Sequence, residues 1–353
     1  MLRWPQEATC FRSLLQQTLS RRVGLPLLTT LTFSTAVTGA VGAAQDVATT
    51  HKWSMYSKKG FWSMMGGDGE TPAKSGPSGS GTPTTPEKKT NKEENRWPLR
   101  FSAGAAMLPH PDKVHKGGED SYFIAENEES SGISGVGVAD GVGGWADLGV
   151  DAGEYSRLLM ANAKKEVLSS NPGEVAPIDV IIKAHRETLT QGSSTACVVV
   201  FEKDTLHAAN LGDSGFVVVR DEDVAFKSPA QQHGFNFPYQ LGCDVGSDPP
   251  QVSDVHNVKL QQGDMIVLGT DGLFDNIFDE EVAALATVAR KKGLDPTGVA
   301  GVLASAAQNR GADRFCVSPF SVGAREAGFF YQGGKLDDVT VVVVFVEQAQ
   351  SKL

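Results

Sequence analysis

Residues 137–145 read GVADGVGGW, where a single carboxylate, Asp140, ends an apolar run and is followed by small residues. The run ISGVGVA at 133–139 is short and bounded by glycines, which predicts a buried β-strand. Glycine beside the acid lets backbone or a ligand approach Asp140 closely. An isolated Asp-Gly pair is typical of a turn. The first question is therefore whether Asp140 belongs to a turn or to a site.

The same arrangement occurs at five predicted strand ends of the chain. Each time, a carboxylate adjoins an apolar run and has a glycine close by in the sequence. The acids are Glu119 with Asp120, Asp140, Asp213, Asp271, and Asp337 with Asp338. One such pair alone favours a turn, but five in one domain indicate a shared site.

Carboxylates gathered at strand ends repel one another unless a cation neutralises them. Oxygen ligands without His or Cys select hard ions, Mg²⁺ or Mn²⁺, over zinc or copper. Two such ions roughly 3.5–4 Å apart activate water for the hydrolysis of phosphate esters. The chain has no Cys-x5-Arg loop, GxSxG elbow or P-loop, so a route that needs no protein nucleophile suits it.

Composition limits the class of protein. The 353 residues are 40% hydrophobic and 21% charged, as in an ordinary globular protein, and the formal net charge is −10. A basic face for nucleic acid is not expected at this charge. The four cysteines are far apart with no CxxC pair, which excludes a zinc ribbon and indicates a reducing compartment.

The chain divides into three predicted parts. Residues 1–65 are interpreted as an organelle presequence or leader, because the first 44 residues contain four arginines and one acid. The uncharged stretch 25–44 is long enough to cross a bilayer, but six of its residues are Thr or Ser, so a membrane anchor is only the alternative to a leader. Residues 66–95 are predicted to be a disordered linker, and residues 96–350 the globular domain.

Periodicity within the domain predicts an α+β fold. Helices are expected to start at Asp151, Pro177, Asp279 and Asp295. Strands are expected at 121–125, 133–139, 195–201, 215–220, 264–270 and 339–346. Strands grouped with strands and helices with helices indicate a layered domain, not an alternating βαβ fold.

Six motifs together resemble the metal-dependent protein phosphatase 2C (PPM) family in order and spacing. They are GGEDSYF, GVADGVGGW, GSSTACVVV, ANLGDSGF, TDGLFDN and GGKLDDVTVVV. DGVGGW together with QQHGFNFPYQL at 231–241 is most similar to the compact, organelle-targeted branch. The resemblance covers about residues 100–348. It implies a four-layer α-β-β-α sandwich, a central antiparallel β-sandwich flanked by helices, and Ser/Thr protein phosphatase activity dependent on Mn²⁺ or Mg²⁺.

The resemblance also implies roles for the acids that would bind two metal ions. Asp140 would bridge both ions, and the carbonyl of Gly141 would bind one of them. Asp271 and Asp337 would hold the second ion. Asp140 and Asp271 are therefore the predicted catalytic residues.

The other acids have outer roles in the family pattern. Glu119 and Asp120 would orient waters of the metal centre. Asp213 and Asp275, with Asp271, match the acids that bind a weaker third ion in parts of the family. Asp338 stands where asparagine is common and would support the site from outside.

Two departures from the family pattern affect the proton donor and the phosphate clamp. Many members have DGHGG, whose histidine is a candidate general acid, but this chain has Val142 there. Losing such an acid costs about 10²–10⁴ in rate unless another group supplies the proton; His233 is either that donor or a structural loop residue. His115 stands where an arginine often grips phosphate, so Lys116 or Lys113 would have to replace it or remain a surface charge.

The sequence therefore predicts a phosphatase that acts on phosphoproteins, as a monomer and without nucleic acid. The mitochondrion is the expected location, with the chloroplast as the alternative, because Ser-rich, acid-poor leaders serve both organelles. Two other functions stay open at this point. One is a pseudophosphatase that acts as a binding module, and the other is hydrolysis of a small phosphate ester.

Overall fold

A computed structural model describes residues 99–127, 132–170 and 174–349. Fourteen strands lie in these ranges: β1 (Leu99–Leu108), β2 (Asp120–Asn127), β3 (Gly132–Asp140), β4 (Ser193–Ser194), β5 (Ala196–Glu202), β6 (Thr205–Leu211), β7 (Gly215–Arg220), β8 (Asp223–Lys227), β9 (Gln232–Gly234), β10 (Phe237–Pro238), β11 (Leu241–Gly242), β12 (Asp254–Lys259), β13 (Met265–Gly269) and β14 (Val339–Gln348). The α-helices are α1 (Ala152–Ser169), α2 (Pro177–Glu187), α3 (Asp271–Phe274), α4 (Asp279–Lys291), α5 (Pro296–Gly311) and α6 (Pro319–Glu326). Short 3₁₀ helices are Pro111–Lys116, Gly143–Leu148 and Pro250–Val252.

Two five-stranded antiparallel sheets form the centre of the domain. The first has the order β1-β14-β13-β7-β8, and the second has the order β12-β6-β5-β3-β2. Helices α1 and α2 pack on the second sheet, while α5 packs on β1 and β14 of the first and α4 on β8. The predicted four-layer α-β-β-α sandwich is confirmed.

The two faces of strand β5 show why the sheets stack this way. Cys197, Val199 and Phe201 point into the core between the sheets. The alternating positions Ala196 and Val198 point to the core under α1 and α2. Because side chains alternate along a strand, a run that is apolar throughout buries both faces. The sequence ACVVVF is therefore suited to a sheet covered on both sides.

The predicted helix starts are confirmed. Asp151 precedes α1 and accepts a hydrogen bond from the Gly153 amide at 3.1 Å, which satisfies one of the free amides of the first turn. Asp295 does the same for α5 through the Gly298 amide at 2.8 Å. Pro177 is the first residue of α2, where its fixed φ fits the helix.

The predicted leader 1–65, the linker 66–95 and the stretch 25–44 lie outside the described residues. Within 99–127, 132–170 and 174–349, no helix has the length and apolarity that crossing a bilayer needs. The domain boundaries stay predictions.

Candidate functional site

Two predicted site acids lie side by side at one edge of the second sheet. Asp140 is the last residue of β3 and is paired directly with Asp120, the first residue of β2. The carbonyl of Asp140 accepts from the Thr195 amide at 2.9 Å, and the Gly141 amide donates to the Glu119 carbonyl at 3.1 Å. The strand pairing therefore brings together acids that are about twenty residues apart in the sequence.

Hydrogen bonds between the two sheets bring the acids of the first sheet close to Asp120 and Asp140. Thr270, directly after β13, donates through its hydroxyl to Asp120 Oδ2 at 2.8 Å. Asp338, directly before β14, accepts from the Glu119 amide at 2.9 Å and from the His110 amide at 2.6 Å. The carboxylate of Asp338 thus holds backbone in place, which agrees with the supporting role expected for it.

Two glycines of the motifs are required because backbone passes close to them. A Cβ at Gly141 would lie 2.6 Å from the Glu119 carbonyl oxygen. A Cβ at Gly272 would lie 1.9 Å from the Asp338 carbonyl oxygen. Both contacts are with backbone, which has little freedom to yield. These glycines let the strand ends meet, and the turn explanation alone does not account for them.

Asp213 and Asp275 complete the cluster on its outer side. Asp213 follows β6, and its Oδ2 accepts from Gln232 Nε2 at 3.0 Å. Burial, with repulsion from Asp271 and Asp275, raises the pKa of Asp213 to about 7. Burial and the charge of Asp271 also raise the pKa of Asp275, to about 6, although Lys335 opposes the shift.

Repulsion between carboxylates also acts on Asp140, Asp120 and Asp337. Burial, followed by the charges of Asp271 and Asp120, holds the pKa of Asp140 well above its usual range. Burial and the charge of Asp338 do the same to the pKa of Asp120. Burial and Asp271 raise the pKa of Asp337. Mutual perturbation of this kind is expected of acids that lie close together where water is largely excluded.

Lys335 lies among the acids of the first sheet. Its ammonium donates to Asp271 Oδ2 and, at 2.9 Å, to Asp275 Oδ2, and it lies 3.5 Å from Asp337 Oδ2. Burial lowers the pKa of Lys335, but the three carboxylates outweigh it and hold this pKa well above its usual range. Burial raises the pKa of Asp271, but the Lys335 ammonium outweighs it and lowers this pKa overall.

Asn276 fixes the backbone from which Lys335 projects. Its Nδ2 donates to the Lys335 carbonyl at 2.8 Å, and its Oδ1 accepts from the Lys335 amide at 3.0 Å. Two hydrogen bonds to one residue restrain that residue more than either would alone. Lys335 and Asn276 were missed in the sequence; their only signal is their place in GGKLDD and TDGLFDN.

Lys113 is a second lysine whose ammonium contacts acids of the cluster. Its ammonium lies 2.6 Å from Glu119 Oε2, 3.4 Å from Asp338 Oδ2 and 3.6 Å from Asp337 Oδ1. Lys116 and His115, the predicted phosphate clamp, lie in the same 3₁₀ helix but are exposed. Lys113, the third basic residue weighed for the clamp, is therefore the one from this helix that contacts the acids.

The two side chains considered for proton transfer are also placed. Val142 leads into the 3₁₀ helix after β3 and carries no titratable group. His233 stacks on Tyr239 with ring centres 4.1 Å apart, and its Nε2 lies 3.0 Å from Asp248. These contacts give His233 a structural role on strand β9, and none of them reaches the acid cluster.

The donor chemistry of the acids fits divalent metal ions. Among residues 99–127, 132–170 and 174–349, no three Asp, Glu, His or Cys side chains form a ready-made ligand set. Buried carboxylate oxygens of Asp120, Asp213 and Asp271 nevertheless have no hydrogen-bond partner within that part of the chain. Such oxygens are costly to bury unless a cation or donor meets them. Oxygen donors of this kind suit Mg²⁺ or Mn²⁺.

Comparison with known proteins gives one family. The sequence profile described as Stage II sporulation protein E (SpoIIE) matches residues 134–347, which is more than half of the chain. "Probable protein phosphatase 2C 55" of Arabidopsis thaliana is 47% identical over 255 residues, covering 72% of this chain and 54% of that protein. "Probable protein phosphatase 2C 26" of Arabidopsis thaliana is 38% identical over 260 residues, covering 70% and 84% respectively. The chain thus spans about half the length of the first of these relatives.

A solved structure agrees with these relatives. The X-ray structure of the photosystem II phosphatase PBCP superposes with a TM-score of 0.63 at 34% sequence identity. The match covers 71% of this chain and 100% of the other. Fold and sequence therefore indicate the same family.

Proposed function

The chain belongs to the protein phosphatase 2C family, and from this membership we propose that it is a metal-dependent serine/threonine protein phosphatase. The observation that supports this most is the buried cluster of carboxylates that Asp140 and Asp271 share at the edge of the sandwich. Carboxylates packed this closely are stabilised in their ionised form by a cation, and a phosphoryl group is stabilised by the same positive charge.

Specific residues would hold the metal ions. Asp140 and the Gly141 carbonyl would bind one ion, and Asp140, Asp271 and Asp337 the other. Glu119 and Asp120 would orient water molecules, and Asp213 with Asp275 would add a weaker third position. When bound, a pair of Mn²⁺ or Mg²⁺ ions activates water as the nucleophile and offsets charge on the phosphoryl oxygens.

Neighbouring residues keep the metal-binding side chains ionised and hold them in position. Lys335 keeps Asp271 ionised, which a metal ligand must be. Thr270 holds the carboxylate of Asp120, and Asp338 holds the amide of Glu119. Lys113 and Lys335 also place positive charge where the phosphate oxygens would arrive, so Lys113 is the better placed clamp than His115 or Lys116.

We further propose that the protein acts on phosphoproteins in an organelle, the mitochondrion first and the chloroplast as the alternative. The arginine-rich, acid-poor first 44 residues support an organelle address. The name of the photosystem II phosphatase, at 34% identity, keeps the chloroplast open. Residues 1–65 fused to a fluorescent protein should reach one of these organelles; cytosolic fluorescence would refute the proposed address.

The activity is tested with the full-length protein, a phosphothreonine peptide and p-nitrophenyl phosphate. We expect release of phosphate from both substrates with Mn²⁺, none with a chelator, and recovery when Mn²⁺ is restored. No turnover with Mn²⁺, Mg²⁺ or other divalent ions would support the binding-module function. Turnover of the aryl ester with none of the peptide would argue against a protein substrate.

A further inference from the structure

Three consecutive aromatic residues that follow α6 have exposed side chains. The exposed fraction is 96% for Phe330, 59% for Phe329 and 40% for Tyr331. With Phe235 of the β9–β10 hairpin and the buried Phe320 of α6, these residues form a surface that we name the aromatic rim. Large apolar side chains exposed together, rather than singly, mark a contact surface.

The aromatic rim is held together by ring contacts between two separate chain segments. The ring of Phe235 lies 4.9 Å from that of Phe320 and 5.7 Å from that of Phe329. Tyr331 meets Phe320 edge-on at 4.7 Å, and its hydroxyl donates to the Gly334 carbonyl at 3.0 Å. These contacts give the surface a defined shape before any ligand arrives.

The aromatic rim is directly connected to the acid cluster. The amide of Phe320 donates to the Asp275 carbonyl at 3.0 Å. The Lys335 ammonium lies 5.4 Å from the centre of the Phe320 ring, within cation–π range. On the hairpin, Gln232 donates to Asp213 while Phe235, three residues later, packs on Phe320. Both segments therefore carry an aromatic surface and a contact with the candidate metal ligands.

We propose that the aromatic rim binds apolar side chains that flank the phosphorylated residue of a peptide substrate. This inference rests on the proposed phosphatase function. An extended peptide advances about 3.3 Å per residue, so residues two to four positions from the phosphate lie roughly 7–13 Å from it. A peptide whose phosphate reaches the acids and whose chain leaves on this side must cross Phe320 and its neighbours. Apolar side chains gain the most binding free energy there, because they cover exposed aromatic rings and bury apolar surface.

A substrate fits this surface better than a permanent partner does. A second copy of the chain seated permanently on the aromatic rim would cover the side on which Phe320 contacts Asp275 and Lys335, and a substrate could not approach the acids from there. A peptide that binds and leaves keeps the site usable. The net charge of −10 also disfavours nucleic acid as the occupant of stacked rings.

The test measures binding of two labelled peptides to the full-length protein by fluorescence anisotropy with Mn²⁺ present. Both peptides contain a non-hydrolysable phosphonate analogue of phosphothreonine, so binding does not depend on turnover. One has Phe and Leu at the second to fourth positions on both sides, and the other has Ser there. We expect the wild type to bind the apolar peptide about tenfold more tightly.

Variants assign this preference to the aromatic rim. The double variant F329S/F330S should bring the affinity ratio of the two peptides close to one, and F330S alone should lower it in part. Both side chains are exposed, so the fold should tolerate the changes. L189S is the matched control, since Leu189 is 87% exposed and lies two residues after the end of α2; it should keep the full ratio.

The outcomes separate this inference from the proposed function. Equal binding of both peptides by the wild type, or a preference that survives F329S/F330S, overturns the inference. A dimer that dissociates in F329S/F330S, with equal peptide binding, also overturns it and assigns the surface to a second copy. A retained preference with no turnover of p-nitrophenyl phosphate supports the docking surface while contradicting the phosphatase proposal.

Discussion

Lys335 is the residue that places a positive charge among the clustered acids. Lys335 contacts Asp271, Asp275 and Asp337, and its side chain is only 16% exposed. An ammonium in this position stabilises the ionised acids of the metal-free protein, but it also repels or obstructs an incoming metal ion. Lys335 therefore balances the stability of the metal-free protein against its metal affinity.

Replacement of Lys335 by Met tests that balance. We expect K335M to bind Mn²⁺ at least about tenfold more tightly, because a unit positive charge in contact with the residues that would bind the ions is removed. In chelator the same variant should melt at a lower temperature than the wild type, since one buried and two half-buried acids lose their partner. Calorimetric titration and thermal melts measure the two effects. K335R, which keeps the charge, is the control; weaker Mn²⁺ binding by K335M than by K335R would contradict this account.

Val142 stands where the family often has a histidine, and the change V142H tests proton donation. The leaving alkoxide of an alkyl phosphate needs a proton more than the phenolate of an aryl phosphate does. We expect V142H to raise kcat for a phosphothreonine peptide more than for p-nitrophenyl phosphate. An equal change for both substrates would show that proton donation does not limit the rate.

At the scale of elements, the strong apolar runs are what the sequence predicted well. The six predicted strands are all present, because runs such as VTVVVVFV are long enough to be buried on both faces. Strand β1 was missed, since LRFSAGAAML is rich in Ala and Gly, which have weak β propensity. Strand β1 forms because all of its residues pair with β14. Strand β12 was missed because DVHNVK is half polar, as suits an edge strand.

The sequence predicted those site residues whose positions follow from strand pairing. It did not predict those whose contacts depend on the direction of a side chain. Acids at strand ends meet because the strands pair, as Asp120 and Asp140 show. The reach of Lys335 depends instead on the loop that Asn276 fixes, which no local pattern records. Likewise, three basic residues share one 3₁₀ helix, and its orientation selects Lys113 over His115 and Lys116.

The junction of helix α3 with strand β14 is tested by G272A. The added Cβ would lie 1.9 Å from the Asp338 carbonyl oxygen, so one element must move. We expect a loss of about 2–3 kcal/mol in the free energy of unfolding, as for severe overpacking, with a loss of Mn²⁺ affinity. Denaturant titration measures it. G144A is the control, because no atom lies within 4 Å of a Cβ there; equal stability of the two variants would contradict the close contact.

For the molecule as a whole, the acid cluster predicts how stability depends on pH without metal. The folded protein keeps a proton on Asp213 up to a pKa of about 7 and on Asp275 up to about 6, while unfolded aspartates lose theirs near a pKa of about 4. A raised pKa gives a contribution that is complete below the unfolded value and lost as pH rises through the folded value. Between about pH 4 and 7 the metal-free protein should therefore lose stability from these groups.

Urea midpoints in chelator at pH 5.5 and 7.5 measure this loss. We expect D213N to reduce the difference between the two midpoints, because one of the responsible groups no longer titrates. Mn²⁺ should shrink or reverse the difference, since it binds the ionised acids. The explanation fails if D213N leaves the difference unchanged.

The central claim is that acids from both sheets form one site that would hold a pair of metal ions, and that binding of both ions would need Asp140. Mn²⁺ titration of the full-length wild type and of D140N, by calorimetry, tests it most directly. The account predicts two tightly bound ions per chain in the wild type, with any third ion weaker, and the loss of both tight ions together in D140N. Two tight ions in D140N, or none in the wild type, would contradict it.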